Sequence, residues 1–406
     1  MKVGFIGLGK LGLPCAEAMA SKYEVTGFDI VRRKSDSVKV TENIQDAVKD
    51  QDIVFVAIQT PHHPQYDGSK PCMSYEPKDF NYDQVKQCLT EINEYANSHT
   101  LVVLISTVLP GTVRRELAPL INKARFIYNP YLIAMGSVAW DMVNPEMVII
   151  GTEDGSETGD AGLLTNFYKE LMQNNPRYVV GTWEEAESIK IFYNTFISAK
   201  LSLVNMIQDV AMKLGNMNVD VVTDALSRST QRIMGPKYMT AGMGDGGPCH
   251  PRDNIALRYM AQELDLGYDL FHAIMQSREV QARNIADLLC SLSKESELPV
   301  LIHGYAYKPG VPFTEGSYSS LIGHYCSEMG YHPIYVDPHT HPQTGPFSAV
   351  VLLAHNPSIT YNYMDNKEVN KLYCFLNKDS IIVDPWRSFP KDSEYKVIHY
   401  GNTRMA

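Results

Sequence analysis

The sequence predicts an α/β protein in which two Rossmann-like, doubly wound domains are joined by a central helical domain built around a long helix. Three observations carry this prediction. A short apolar strand, Lys2-Val3-Gly4-Phe5-Ile6, runs into the glycine pattern Gly7-Leu8-Gly9-Lys10-Leu11-Gly12 and then into the helix-like Cys15–Ala20. Short β-rich segments alternate with helical ones up to about residue 180 and again from residue 299 onward, the signature of parallel sheets covered by helices. Between the two sets, Trp183 to Met212 contains no Gly or Pro and suits one long helix. The expected domains are therefore 1–180, 181–292 and 293–406.

In the first domain, the segments after the opening strand are Glu24–Phe28, Ile53–Ile58, Leu101–Ile105, Arg125–Tyr128 and Met147–Gly151. The glycine pattern sits where a dinucleotide fold needs it, between strand and helix. Gly7 permits the tight turn, Gly9 lets backbone amides approach a pyrophosphate at the helix N-terminus, and Gly12 allows close helix–strand packing. Asp29 ends the second strand, twenty residues beyond Gly9. An acidic side chain there accepts from the ribose hydroxyls and repels a 2′-phosphate, which favours NAD over NADP. Arg32 and Arg33 follow closely and are able to hold such a phosphate. From Thr60 to about Tyr82 runs a segment rich in Pro, His, Tyr and Asp, expected beyond a strand's C-terminal edge, where ligands bind in this architecture.

The third domain is built on Pro299–Gly304, His332–Asp337, Ala349–Leu353, Ser380–Asp384 and Tyr395–Tyr400. A chain of 406 residues with 44% hydrophobic content supports several cores. The net charge of −10 argues against nucleic acid or an anionic membrane surface as a partner. Seven cysteines, odd in number and without a C-x-x-C pair, read as reduced thiols. With no apolar run of membrane-spanning length, the expected location is the cytoplasm. His62-His63 and His339-x-His341 lack partners at ligand spacing, so no metal is expected.

On the long helix, Lys190, Asn194 and Asn205 fall at about 0°, 40° and 60° when each residue advances by about 100°. One polar face therefore carries all three, suited either to polarising a hydroxyl and stabilising an oxyanion or simply to solvent. Further on, Gly246-Gly247-Pro248-Cys249-His250-Pro251-Arg252-Asp253 sets a cysteine in a glycine turn with a carboxylate four residues later. A thiolate there is a nucleophile with room for substrate. Equally, a buried cysteine is usually inert, and Asp253 can cap a helix beginning near Asn254.

The order of these motifs resembles the UDP-glucose/GDP-mannose 6-dehydrogenase family, over nearly the whole chain. The resemblance is carried by Gly7–Gly12 with Asp29, Thr60-Pro61, Ser106-Thr107-Val108 with Pro110-Gly111-Thr112, Asn129-Pro130, Gly136-Ser137, Glu187, Lys190 with Asn194, and Lys200. It continues through Gly235-Pro236-Lys237-Tyr238, Gly244–Asp253 and Ala306-Tyr307-Lys308-Pro309. It implies an enzyme that oxidises the C6 alcohol of a nucleotide sugar to a carboxylate with two NAD molecules, on a UDP- or GDP-sugar substrate, as a homodimer through the long helix. Cys249 would capture the intermediate aldehyde as a thiohemiacetal that becomes a thioester. Lys190, Asn194, Asp253 and Thr107 resemble the group that handles the C6 oxygen and the hydrolytic water. Gly7, Gly9, Lys10, Leu11, Gly12, Asp29, Thr60, Pro61, Ser106 and Thr107 would bind the cofactor. Tyr131, Lys190, Asn194, Tyr238, Gly242, Gly244, Gly246 and Lys308 would meet the substrate.

Departures from the family pattern bear on mechanism. Tyr131 stands where the family has the glutamate that serves as base in thioester hydrolysis, and a phenol with a pKa near 10 is a poor base at neutral pH. The expected R-E-S reads Glu315-Gly316-Ser317, Gln59 replaces a Gly before Thr60-Pro61, and Pro248 and His250 alter the cysteine's surroundings. Four readings stay open. They are a four-electron dehydrogenase in which Asp253 or His250 replaces the glutamate, and a variant that takes an unusual nucleotide sugar or stops at two electrons. A β-hydroxyacid dehydrogenase, resembling the 6-phosphogluconate and 3-hydroxyisobutyrate enzymes, needs no cysteine; a non-catalytic nucleotide-binding protein keeps only the fold.

Overall fold

The computed structural model describes residues 1–406 except 62–77, 134–136, 236–240, 245–248, 338–347, 357–375, 391–392 and 403–406, and omits the side chains of 201, 202, 205, 249, 250, 252, 253 and 256. The chain divides into two compact units, Met1–Lys200 and Leu201–Ala406.

The first unit holds an eight-stranded sheet. Its strands are β1 (Lys2–Ile6), β2 (Glu24–Phe28), β3 (Lys39–Thr41), β4 (Ile53–Val56), β5 (Leu101–Leu104), β6 (Arg125–Tyr128), β7 (Met147–Thr152) and β8 (Arg177–Thr182). They lie in the order β3-β2-β1-β4-β5-β6-β7-β8. Every pairing is parallel except β6 with β7. The sequence expectation of a doubly wound parallel sheet therefore holds for β1 to β6, with β7 and β8 as an inverted extension.

β4 and β5 are fully buried four-residue runs, Ile-Val-Phe-Val and Leu-Val-Val-Leu. Apolar on both faces, they must be covered on both. One face packs against α1 (Gly12–Ala20) and α5 (Asp160–Leu171), with Phe55, Phe167 and Tyr168 at its centre. The other packs against α2 (Ile44–Val48) and α3 (Asp83–Tyr95) through Val54, Val85 and Leu89. α4 (Val138–Val143) closes the first face. α6 (Trp183–Leu214) leaves the sheet directly from β8.

The second unit contains the remainder of α6, then α7 (Val219–Ser227), α8 (Cys249–Glu263) and α9 (Leu270–Ser296). Its parallel sheet is built from β9 (Val300–His303), β10 (Ile334–Val336), β11 (Val350–Leu353), β12 (Ile381–Asp384) and β13 (Lys396–His399), with α10 (Tyr318–Glu328) between β9 and β10. The order β10-β9-β11-β12-β13 reverses direction at β9/β11, a switch point of the kind that places ligand sites at strand C-termini. All five C-terminal strands read from the sequence are present. Asp269 caps α9 by accepting from His272 N at 2.9 Å, and Ser317 caps α10 by accepting from Ser319 N at 3.2 Å. Among the described residues, no helix is long and apolar enough to cross a membrane.

Candidate active site

The glycine turn after β1 is shaped for a dinucleotide. Gly7 has φ +94°, and a Cβ there would meet the Ala57 carbonyl, so only glycine fits. A Cβ on Gly12 would overlap the Gly7 carbonyl oxygen, which is why α1 comes so close to β1. Gly9 is different: a Cβ there would have nothing within 4 Å. It faces open space at the head of α1, whose first turn has no side-chain cap. Unfilled space over uncapped helix amides fits a pyrophosphate.

The turn opens onto a cavity of about 520 Å³ lined by Gly9, Asp29, Ile30, Arg33 and Gln84 among others. Asp29 Oδ1 accepts from Val31 N at 2.7 Å, and Arg33 Nε lies 3.9 Å from the same oxygen. The arginine that sequence reasoning set against NAD is thus turned toward the acidic residue. A second cavity of about 290 Å³ shares Gly9, Ile58 and Gln59 with the first and continues past Thr60, Ser106 and Thr107 to Tyr131 and Lys190; Lys10, Leu11 and Gly12 also line it. Its wall is tied together by hydroxyls: Thr60 Oγ1 donates to Thr107 O and Ser106 Oγ to Ile58 O, each at 2.6 Å. Pro61 is exposed.

α6 delivers the charged groups. Glu187 is fully buried and accepts from Gly111 N at 2.6 Å and Val113 N at 2.7 Å. Burial pushes its carboxyl up to about 7, partly opposed by those two amides. One turn later, Lys190 Nζ donates to Tyr131 O at 2.6 Å, and burial lowers the amine's pKa. Asn194 and Lys200 are exposed, Lys200 near the Phe196 ring. The Asn205 side chain lies outside the described residues.

Tyr131 points its phenol inward. Its hydroxyl is 2.9 Å from that of Tyr168, which donates to Asn129 Oδ1, while Asn129 Nδ2 donates to Ile149 O at 2.6 Å. Burial raises the Tyr131 pKa well above 10. A phenol in that setting does not accept a proton-transfer role at neutral pH.

In the second unit, Gly242 and Gly244 pack against residues that flank the C-terminal sheet. A Cβ on Gly242 would overlap the Trp386 ring, and one on Gly244 the Tyr318 ring. Arg387 Nη2 donates to Ala241 O at 2.6 Å. These glycines have a packing reason whatever ligand they meet. Cys249 is the first residue of α8, with Asp253 four residues on. The side chains of Cys249, His250 and Asp253 lie outside the described residues, as do Tyr238 and Gly246 entirely. Lys308 is exposed beside Tyr307. At the β9/β11 switch point, His355 Nε2 lies 2.8 Å from Ala306 O, and burial lowers His303 to about 4.

No group of three or more His, Cys, Asp or Glu among the described residues is placed to hold a metal. The paired histidines near residues 62 and 339 fall outside those residues. Two functional features escaped sequence reasoning: the Arg33–Asp29 contact and the tie from Glu187 to the turn at Gly111. The available signals were a four-residue spacing in the first case and a Pro-Gly-Thr turn in the second.

Comparison with known proteins bears on the fold and the family. The model of the UDP-glucose/GDP-mannose dehydrogenase family NAD-binding domain matches residues 31–172, and that family's central-domain model matches 184–279. GDP-mannose 6-dehydrogenase of Pseudomonas aeruginosa is 29% identical over 330 residues, covering 72% of this chain and 71% of that protein. UDP-glucose 6-dehydrogenase TuaD of Bacillus subtilis is 26% identical over 331 residues, covering 79% and 67%. A crystal structure of a ternary complex of the P. aeruginosa GDP-mannose dehydrogenase matches the fold with a TM-score of 0.72 at 21% identity, over 95% of this chain and 91% of that one.

Proposed function

This chain belongs to the UDP-glucose/GDP-mannose dehydrogenase family, and from that premise we propose that it oxidises the C6 primary alcohol of a UDP- or GDP-linked hexose to the uronic acid, with UDP-glucose the first substrate to try. The observation that carries this reading is the pair of abutting cavities: a dinucleotide cleft at Gly9 and Asp29 runs into a pocket walled by Thr107 and Lys190. The relatives are nucleotide-sugar dehydrogenases, and the β-hydroxyacid dehydrogenase and non-catalytic readings gain nothing from them.

Bound NAD supplies the hydride acceptor, once for each two-electron step. The Gly7–Gly12 turn and the first turn of α1 would hold the pyrophosphate, Asp29 the adenosine ribose, and Thr60, Pro61, Ser106 and Thr107 the nicotinamide end. The Lys190 ammonium stabilises negative charge on the C6 oxygen as its proton leaves. Cys249 Sγ, as thiolate, forms a bond to the aldehyde carbon; oxidation of that adduct leaves a thioester. Water then breaks the C–S bond, releasing the carboxylate and restoring the thiol, with Asn194 and Asp253 handling the water. Tyr131 contributes its carbonyl to Lys190 rather than a base. Tyr238, Gly242, Gly244, Gly246 and Lys308 receive the rest of the nucleotide sugar. A homodimer forms through α6, whose Phe192, Phe196 and Ile197 are exposed. The reducing cytoplasm suits a thiol nucleophile, and none of the four described cysteines is in a disulfide.

The test is to incubate the protein with NAD and a panel of UDP- and GDP-sugars, counting NADH per sugar consumed and weighing the product. Two NADH and an acid support the four-electron route. One NADH and an aldehyde would mean that Tyr131 has ended the reaction at two electrons, and no turnover with any sugar would overturn the reading.

A further inference from the structure

The segment after β5 carries Ser106 and Thr107 into the inner cavity, then turns at Gly111, whose φ is +88°. It continues as a five-residue π-helical turn, Val113–Leu117, a geometry often kept at functional positions. Two amides at its entry, Gly111 N and Val113 N, point to α6. Both oxygens of one buried carboxylate accept from them: Glu187 Oε2 from Gly111 N and Oε1 from Val113 N. Glu187 sits three residues before Lys190 on α6. A single side chain therefore joins the segment bearing Thr107 to the helix turn bearing Lys190.

We propose that Glu187 is a positioning residue, a two-pronged clamp that holds Thr107 and Lys190 on a common wall of the inner cavity. This rests on the reaction assigned above only for its activity readouts. The clamp is strongest when ionised, because a carboxylate accepts a charge-assisted hydrogen bond at each oxygen, whereas protonation turns one oxygen into a hydroxyl, a weaker acceptor with its own proton to place. Around the carboxylate, Glu184 on the same helix disfavours ionisation, while Arg114 and Arg115 from the π-helical turn favour it and the Tyr128 phenol approaches from β6. With burial dominant, the group titrates at about 7, so the clamp tightens as pH rises through neutrality.

The experiment compares the wild-type enzyme with Glu187→Gln, which keeps the shape but offers one acceptor, and Glu187→Ala. It measures amide hydrogen exchange at Gly111 and Val113, the rate at which Lys190 is modified by an amine reagent, NAD affinity, and kcat and KM against pH. Loss of a clamp that aligns reacting groups is expected to lower kcat by roughly 10- to 100-fold, with NAD affinity changed by less than about 3-fold. Exchange at the two amides and labelling of Lys190 should each rise several-fold, and the acid limb of kcat near neutrality should vanish in Glu187→Gln. Unchanged exchange and labelling in Glu187→Gln overturn the clamp outright. Faster exchange with wild-type kcat and an unaltered pH profile would reduce Glu187 to scaffolding and also overturn the proposal. If no nucleotide sugar is turned over even by the wild-type enzyme, the assigned reaction fails; the exchange and labelling results still decide whether the clamp exists.

Discussion

Lys190 Nζ donates to the main-chain carbonyl of Tyr131 across 2.6 Å, while the Tyr131 phenol turns the other way to meet Tyr168. One residue thus faces two environments: its carbonyl belongs to the cavity wall and its hydroxyl to the core of the NAD-binding unit. The ammonium is oriented by a neutral acceptor instead of a carboxylate. Burial lowers its pKa, and on the proposed function its charge would be offered to an oxyanion.

Lys190→Met is expected to lower kcat by about 100- to 1,000-fold, the usual cost of removing one preorganised oxyanion donor. Affinity for NAD, measured by fluorescence titration, should stay within about 3-fold, because cofactor binding is spread along the whole cleft. In the proposed mechanism the protonated amine is the working form, and burial lowers its pKa, so activity should fall with rising pH below the ordinary lysine range. Lys190→Arg should move that alkaline limb upward, because guanidinium does not deprotonate in this range. A limb that stays in place assigns it to another group.

Tyr131→Phe removes the hydroxyl but keeps the carbonyl that holds Lys190. Tyr168 retains its bond to Asn129, so the loss is one buried hydrogen bond, about 1 kcal/mol. For a unit of this size that is a fall in Tm of about 2–4 °C. Turnover should remain within about 3-fold of wild type, as the phenol supplies no proton chemistry. A loss of 100-fold or more in kcat with unchanged Tm would show that the hydroxyl reaches the reacting groups after all.

Much of this was legible in the sequence, for reasons that differ by residue. β4 and β5 announce themselves because a strand buried on both faces is apolar at every position. Gly7 and Gly12 were legible because backbone geometry tolerates few alternatives there. β3 was not, since a three-residue edge strand reading Lys-Val-Thr carries little pattern. Nor was β8, whose Arg177–Thr182 run passes without a turn into α6. The direction of the Tyr131 phenol depends on Tyr168, a partner 37 residues away on a helix. Gly242 and Gly244 read only as part of a substrate-receiving loop; that Trp386 and Tyr318, far along the chain, occupy the space a side chain would need there was not legible.

Two glycines of the same turn should fail differently. Gly12→Ala forces a methyl into the Gly7 carbonyl, so α1 and β1 must separate; a loss of about 2 kcal/mol or more in unfolding free energy is expected. Gly9→Ala meets no protein atom and should leave the free protein's Tm within about 1 °C. The new methyl instead occupies the space over the helix amides, and NAD affinity should drop by about 10-fold or more. Thermal melts with and without NAD separate the two: Gly12→Ala melts early in both, and Gly9→Ala loses only the shift that the cofactor produces. An early melt of cofactor-free Gly9→Ala would place protein, not ligand, above that residue.

On the proposed function, Asp29 and Arg33 together would set the choice of cofactor. The carboxylate presents negative charge where a 2′-phosphate would sit, and it draws the guanidinium to 3.9 Å. The pair is half-buried, and at 3.9 Å it is a long contact, so it matters for orientation more than for folding. Asp29→Ser removes the repulsion and the hydrogen-bond acceptor for the ribose hydroxyls, and it releases Arg33 toward the cavity that both residues line. The ratio of kcat/KM for NADP over NAD should rise by about 100-fold, from two effects of roughly 1.4 kcal/mol each, a factor of ten apiece. Adding Arg33→Ala to Asp29→Ser should return most of the NADP half of that gain while leaving the NAD loss in place. If the double variant instead keeps the full NADP gain, Arg33 does not reach the phosphate, and Asp29 alone sets the preference by repulsion.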